Sequence, residues 1–512
     1  MIAHREKTSL PRAVMACGMA YSLLALSLIR GEVFFNGDAG LKALMAKQWA
    51  RGERSVELKL EAPLWIRQLW DEGCYPFQPP FVYADQGRRF ISFPLLFPAL
   101  SGPFYRAAGF RGLYLIPTLS LWITWAVVDR VARRRGASPR ERAWKLTLLV
   151  FGSPLTLYGA MFWEHTLAVA VVTIALSLAV PRPGESPTTT RMAGAGMLLG
   201  VGAWIRPEIL ALAAGAAIPV THALRERPAT ARAFVLGMLL SAGVYVGANT
   251  AVSGHPFGYH GMQVTHGFSN VRHIAAIPRL LIKLPVLFVL FFPPLLAMIP
   301  RPSVLGRHRR DRQEMWVVVG IVAGMTALAS MIPNDGGKQW GPRYLLALLP
   351  GLVIASPGTP FGREGWPGRG RRVAMMVCLA AGVVVNTGVG MRRLAWDYHS
   401  RVLPALEYLT PDRSEVIAVS HQFVAQELEA LFDSRTMVLI DGVDAFHRLA
   451  RAVDEQGISH FTYVCLANRV MPDDMPVETA RGPRTIVAEP PVHRGWFLIY
   501  HAALVAGVPR MP

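Results

Sequence analysis

The sequence predicts a mainly α, polytopic membrane helix bundle of about eleven spans, closed by a small C-terminal α/β extracytoplasmic domain. Three observations predict it. Hydrophobic residues make up 52% of the 512 and charged residues only 17%, where soluble chains carry about 25% charge. Arginines gather in short clusters between long apolar runs, as they do in membrane loops. From Arg392 onward the composition changes to 12 basic and 15 acidic side chains, near −3, while the rest of the chain is near +22. The same figures exclude other classes. Apolar content is too high for disorder, and four cysteines are too few for a disulfide scaffold. A net charge of +19 would suit nucleic acid, but its placement between apolar runs points to a membrane instead, and no nucleic-acid partner is expected.

A membrane helix needs about 20 mostly apolar residues. Runs near 12–30, 112–129, 145–162, 165–180, 193–205, 207–222, 233–250, 280–299, 315–332, 343–356 and 373–391 meet or approach that need. Two of them are short and meet at Arg206-Pro207-Glu208, which reads as a turn at the membrane surface. The arginine clusters set the orientation. One loop holds Arg130, Arg133, Arg134, Arg135, Arg140, Arg142 and Lys145, and others centre on Arg225, Arg309 and Arg371. With a cytoplasmic N-terminus all of these loops fall inside. The apolar stretch 91–106 is read as a Pro-broken interfacial or re-entrant segment, since a further span there would put the most basic loop outside. His4, Arg5 and Lys7 precede the first apolar run, as in a signal peptide, but no small-x-small site follows, so the run is read as a retained anchor.

Residues 1–391 are thus expected to form the transmembrane domain, with a long first extracytoplasmic loop over 31–111. In that loop Leu41, Leu44, Met45 and Trp49, then Trp65, Ile66, Leu69 and Trp70, recur at helical spacing, which predicts amphipathic helices on the membrane surface. A second outer piece, 251–279, is rich in Gly and His (His255, His260, His266, His273). The histidine spacing fits no compact ligand motif, and a polar loop over the site is expected. The tail, 392–512, alternates short β-type runs at 415–420, 436–441, 460–466, 485–489 and 497–501 with helical stretches at 421–432 and 443–456. That is the pattern of a small α/β domain. It has no Gly-rich phosphate loop. Asp441 and Asp444 suit a helix start better than a metal. Cys17 and Cys378 fall in spans. Cys74 and Cys465 fall outside, where a disulfide is permitted but is the weaker reading.

Ionisable residues at membrane depth or at span junctions are costly and so are functional suspects. Four groups share the outer face in this topology: Asp38 with Lys42, Glu164 with His165, Arg206 with Glu208, and the segment Asn334–Tyr344, with Asp335, Lys338, Arg343 and Tyr344. Together they suit lipid-phosphate chemistry. A carboxylate takes a proton from an acceptor hydroxyl, and Lys and Arg hold a phosphate and stabilise its leaving charge. Each residue also has a plain reading. Asp38 would cap a helix starting at Ala39, Arg206 and Glu208 would close a turn as an ion pair, and Arg343 would anchor at the interface.

These residues, in this order, resemble the GT-C superfamily of membrane glycosyltransferases, nearest its bacterial branch of aminoarabinose transferases and protein mannosyltransferases. The resemblance rests on Gly37-Asp38 after the first span and on Phe90-Ile91-Ser92-Phe93-Pro94-Leu95-Leu96-Phe97-Pro98 before the second. It also rests on the hinge Trp204-Ile205-Arg206-Pro207-Glu208, on Gly341-Pro342-Arg343-Tyr344 entering a late span, and on the soluble tail. It implies that Asp38 is the catalytic base or a metal-associated carboxylate, and that Glu164 is a second acid of the site. The charges and their placement add His165 to that group and make Lys42, Arg206, Glu208, Asp335, Lys338, Arg343 and Tyr344 the candidates for donor binding. The chain departs from protein mannosyltransferases in having Asp38-Ala39 where they carry an Asp-Glu pair, and it lacks the Trp-Trp-Asp motif of oligosaccharyltransferases.

The function expected is therefore transfer of a monosaccharide, with inversion, from a polyprenyl-phosphate donor to an outer-face acceptor: glycolipid, polysaccharide or protein. Membrane lipids are its other partners. No metal site and no cofactor is assigned, and a divalent metal remains compatible with the chemistry. The use of 46 Arg against 7 Lys suggests a high-GC bacterial genome and an inner-membrane location. The alternative is a transporter or flippase, or a polymerase or ligase, of lipid-linked glycans. No internal repeat of the transporter kind is evident.

Overall fold

Apolar runs become helices because a helix satisfies every backbone polar group within its own segment, as a bilayer requires. The computed structural model describes residues 2–179, 185–268, 271–298, 340–356, 369–412, 414–472 and 474–506. Contacts divide the chain into two units. One is Met1–Ser27, Pro94–Phe97 and Arg111–Arg393, and the other is Leu28–Phe93, Pro98–Phe110 and Leu394–Pro512. The first loop thus clusters with the tail.

The first unit is helical: Ile2–Ser27, Leu115–Arg134, Pro139–Val150, His165–Ala179, Thr189–Ile205, Ile209–Ala223, Pro228–Ser253, Val271–Phe291 and Arg369–Val383 are its main elements. Among the described residues, four helical stretches are long and apolar enough to cross a membrane: Ser9–Ser27, Leu96–Arg134, Pro228–Ser253 and Arg369–Leu409. His165–Ala179 and Arg343–Ala355 are shorter apolar helices. Leu236, Leu239, Leu240 and Val244 stand exposed on one long helix, and Val373, Val377 and Val384 on another. Exposed apolar faces of this kind suit lipid rather than water. The run expected at 315–332 lies outside the described residues. The run at 145–162 is broken at Ser153-Pro154 into Pro139–Val150 and Leu155–Tyr158. The stretch 91–106 holds the helix Leu96–Ala108.

Two close helix approaches rest on glycine. A Cβ on Gly196 would lie 1.9 Å from the Phe234 carbonyl oxygen, and one on Gly237 2.4 Å from that of Ala193. Thr189–Ile205 and Pro228–Ser253 therefore cross at backbone contact, the small-xxx-small packing of membrane helices. The 251–279 region corrects the expectation of a polar loop. Gly254, in the left-handed region (φ 69°), ends one helix, and Gly258–Phe268 and Val271–Phe291 follow as helices. Its glycines and histidines hid a helical backbone. Lys145, expected in a basic loop, is buried and donates to the carbonyls of Val353 (3.0 Å) and Ser356 (2.7 Å), so it caps Leu349–Ala355.

The second unit is built on a sheet. Its strands are β3 (Val416–Val419), β4 (Thr436–Leu439), β5 (His460–Leu466), β6 (Met475–Thr479), β7 (Gly482–Ala488), β8 (Val492–Arg494) and β9 (Phe497–Ala506). The order is β4-β3-β5-β9-β7-β6, with β8 on β9. β3 pairs parallel with β4 and β5, and the remaining pairs are antiparallel. The parallel part is two strand–helix–strand units crossing through Gln422–Glu427 and Val443–Glu455. Two more strands, β1 (Val82–Asp85) and β2 (Arg88–Ile91), form a hairpin in the first loop. Gln86 and Gly87 both have positive φ, as a two-residue type I′ turn demands.

Gly37–Ala50 and Leu64–Leu69 match the helical spacings in the first loop. The picture of helices lying on a surface needs correction. Gly37–Ala50 is buried from Gly37 and Ala39 through Gln48. Trp70 donates to the Met437 carbonyl at 3.0 Å as a core residue. All four cysteines are free thiols.

One ion cluster in this unit is sensitive to pH. Lys47 binds Asp433 (2.5 Å) and the fully buried Glu429 (2.9 Å). Burial, against the pull of Lys47, pushes the Glu429 carboxyl from 4.5 up to about 7. A carboxyl raised on folding adds stability below its unfolded value, and that stability is lost as pH rises through the folded value. The melting temperature of the second unit should therefore fall between pH 4.5 and about 7, and Glu429→Gln should flatten that slope. Thermal melts across the range check it. An unchanged slope in the variant would refute the assignment.

Candidate functional site

The expected site residues lie in two places. In the first unit the structure brings Glu164, His165, Arg206, Glu208, Arg343 and Tyr344 together. Local sequence explains how. Arg206 leaves the helix Thr189–Ile205 with extended backbone (φ −148°, ψ 110°), and its N–H still bonds Gly202. Pro207 cannot continue that helix. The chain then re-enters as Ile209–Ala223, with Ala211 N–H donating to the Glu208 carbonyl at 3.1 Å. The two short runs are thus a hinge of two helices with charges at the corner. Glu164 sits just before the helix His165–Ala179, whose Ala168 N–H bonds its carbonyl.

Arg206 organises the cluster. Its guanidinium donates to Glu208, to Glu164 at 2.9 Å and to His165 Nε2 at 2.6 Å. All four side chains are buried. The same Arg206 nitrogen lies 3.3 Å from His165 Nδ1, so the guanidinium sits against the imidazole ring. Two buried carboxylates facing one guanidinium are held firmly, because removing the cation would leave both charges uncompensated. The donors expected for a phosphate on Arg206 are therefore engaged by Glu164, Glu208 and His165, and the ion-pair reading of Arg206 with Glu208 describes this geometry.

Arg343 lies over the rings of Trp163 (5.6 Å) and Tyr344 (5.2 Å) and donates to the Tyr344 hydroxyl at 3.2 Å. Tyr344 in turn lies under Arg206, 5.4 Å away. Three residues not singled out from sequence support this group. Tyr158 donates to the Trp340 carbonyl (2.9 Å), and its ring centroid is 5.2 Å from that of His165. The Trp340 indole donates to Asn386 Oδ1 (3.2 Å), and Asn386 donates to the carbonyls of Phe291 and Gly382, both at 2.9 Å. The one sequence signal for them was a polar Asn inside an apolar run. Asp335 and Lys338 lie outside the described residues.

In the second unit Asp38 and Lys42 lie one turn apart on the helix Gly37–Ala50 and so share a face. The helix begins at Gly37 rather than Ala39. Its N-cap position is Asn36, and no side chain caps it. Asp38 is therefore not the cap and stands in the first turn, half-buried. Lys42 is buried, with its ammonium 4.6 Å from the centre of the Phe93 ring. Elsewhere in this unit, Glu61, Glu415, Asp433 and Arg435 line an open cleft of about 550 Å³. Among the described residues no cluster of three or more His, Cys, Asp or Glu is arranged to hold a metal ion.

No family model and no curated protein matches the sequence. Among solved structures the chain is similar in fold to ArnT and to an archaeal oligosaccharyltransferase. ArnT from Cupriavidus metallidurans bound to undecaprenyl phosphate is similar with a TM-score of 0.58 and 12% identity, over 96% of this chain and 97% of that one. Its apo form gives 0.56 and 11%. The apo oligosaccharyltransferase of Archaeoglobus fulgidus gives 0.50 and 10%, over 89% of this chain and 70% of that one. At these identities the likeness is one of fold.

Proposed function

We propose that the chain is an inner-membrane glycosyltransferase of a bacterium, moving one sugar from a polyprenyl-phosphate donor to an acceptor on the outer face. The observation that carries the reading is the Glu164–His165–Arg206–Glu208 cluster, buried at the ends of apolar helices, where charge is retained only at a cost. The near full-length fold likeness to ArnT, a structure bound to undecaprenyl phosphate, supports a carrier of that class.

In this reading the acceptor hydroxyl attacks the anomeric carbon and its proton passes to the Asp38 carboxylate. The bond from that carbon to the phosphate oxygen breaks, and polyprenyl phosphate departs with its electron pair. Attack opposite the leaving group inverts the anomeric centre. A cation stabilises the departing phosphate, with Arg343 and Lys42 as separate candidates. Arg206, held by its two carboxylates, orders the span ends around His165. The tail binds or orients the acceptor.

Arg343→Ala should weaken donor-phosphate binding by about 10- to 100-fold, the loss of one charge-assisted contact. Titration of undecaprenyl phosphate onto the chain in lipid nanodiscs, read by native mass spectrometry, checks this. Equal affinity in variant and wild type would remove Arg343 from the donor site, and no binding by either would count against the whole reading.

A further inference from the structure

The helix Gly37–Ala50 presents two different faces. At 3.6 residues per turn, Asp38 and Lys42 lie within about 40° of each other, while Gly40, Leu44 and Lys47 fall on nearly the opposite side and Gly37 lies about 100° from Asp38, towards that side. That second face is clamped by one tail segment of the same unit. A Cβ on Gly40 would lie 2.0 Å from the Gln426 carbonyl oxygen and 3.1 Å from Glu429 Cβ. A Cβ on Gly37 would lie 2.7 Å from Gln426 Oε1 and 2.8 Å from Gln426 Cβ. Only glycine permits this approach at either position. Two turns beyond Gly40, Lys47 makes its bonds to Glu429 and Asp433. Gln422, one turn before Gln426, accepts from the backbone N–H of Gln78 at 2.9 Å.

Gln426 is fully buried, and among the described residues neither its Oε1 nor its Nε2 has a hydrogen-bond partner. Native proteins rarely leave such an amide unsatisfied, and each case asks for a reason. Here its side chain fills the space against Gly37, one residue before Asp38.

We propose that Gln426 and Gly40 form a seat by which the tail sets the rotation of the helix Gly37–Ala50, making Gln426 a positioning residue for Asp38. Closure of the seat fixes the helix about its axis, and Lys47 fixes it along that axis. The tail is then part of the catalytic geometry and not only a place for the acceptor. This inference rests on Asp38 acting as the base.

The test uses the full chain in nanodiscs with labelled donor, and kcat is taken per folded molecule. Gly40→Ala should lower kcat by about 10- to 100-fold, the effect of displacing a reacting group by roughly an ångström. KM for the donor should rise as well, since Lys42 turns with Asp38 on the same helix. Gly40→Ala risks misfolding, so Gly37→Ala provides a second arm. Its clash is with the Gln426 side chain alone. Adding Gln426→Gly to Gly37→Ala removes those atoms and should return kcat to the level of Gln426→Gly by itself. A purely structural contact would change the folded fraction and leave kcat per folded molecule at the wild-type value in every variant. That result would overturn the seat while leaving the base reading intact, provided Asp38→Asn abolishes transfer. Full transfer by Asp38→Asn would overturn both.

Discussion

Asp38→Asn should lower sugar transfer by about 10²- to 10⁴-fold, the range for removing a general base. Two energies decide whether the loss is catalytic or structural. A rate loss of that size is about 2.7–5.4 kcal/mol in the barrier. On the structural side, Asp38 is not the helix cap, and asparagine keeps its shape. What the fold forfeits is the charge of a half-buried carboxylate in the first turn of a helix together with its polar contact, about 1–3 kcal/mol. The two ranges meet at their edges, so transfer is taken per folded molecule. On that basis the variant should still bind donor while it fails to turn over. Equal transfer by variant and wild type would reduce Asp38 to a helix-dipole partner.

Arg401→Met should destabilise the second unit by about 3–5 kcal/mol, a large share of the roughly 5–15 kcal/mol that holds a domain folded. Arg401 is 1% exposed and Asp397 fully buried. Its guanidinium is ion-paired with Asp397 (3.1 Å), donates to Glu427 Oε2 (2.7 Å) and to the Phe35 carbonyl (3.0 Å), and lies over the Trp496 ring. Methionine fills much of the same volume but leaves two carboxylates without a cation in a dry site. Chemical denaturation monitored by tryptophan fluorescence measures the effect. A loss below about 1 kcal/mol would mean that water reaches the cluster and screens it.

Much of this was legible from residue pattern alone. The tail runs at 415–420, 436–441, 460–466, 485–489 and 497–501 correspond to β3, β4, β5, β7 and β9, because short apolar and β-branched runs bounded by polar turns mark strands even where both faces are buried. β6 and β8 escaped, the first with a proline as its second residue and the second only three residues long. The β1–β2 hairpin escaped because its turn is Gln86-Gly87 and not the usual Asn-Gly or Asp-Gly. Gly37–Ala50 gave a true helical spacing and a false surface, since a helix buried on nearly all sides has no polar face to betray its neighbours. In the site, the costs of buried charge singled out Glu164, His165, Arg206 and Glu208. The Arg206–Glu208 pair was legible at two residues apart, but the reach of Arg206 back 42 residues to Glu164 was not. Lys47 with Glu429 and Gly40 with Gln426 are more distant still, and one sequence carries no signal for such pairs.

The most direct measurement follows the sugar itself. The purified chain in liposomes is given polyprenyl-phosphate monosaccharides labelled in the sugar, with outer-face lipid and glycan acceptors inside the same bilayer. Chromatography then reads whether label leaves the carrier. The account predicts label on the acceptor with inverted anomeric configuration, one polyprenyl phosphate released per sugar moved, and neither product with Asp38→Asn. Label that crosses from one leaflet to the other while still joined to its carrier, with the same rate in wild type and Asp38→Asn, would contradict it and identify a flippase.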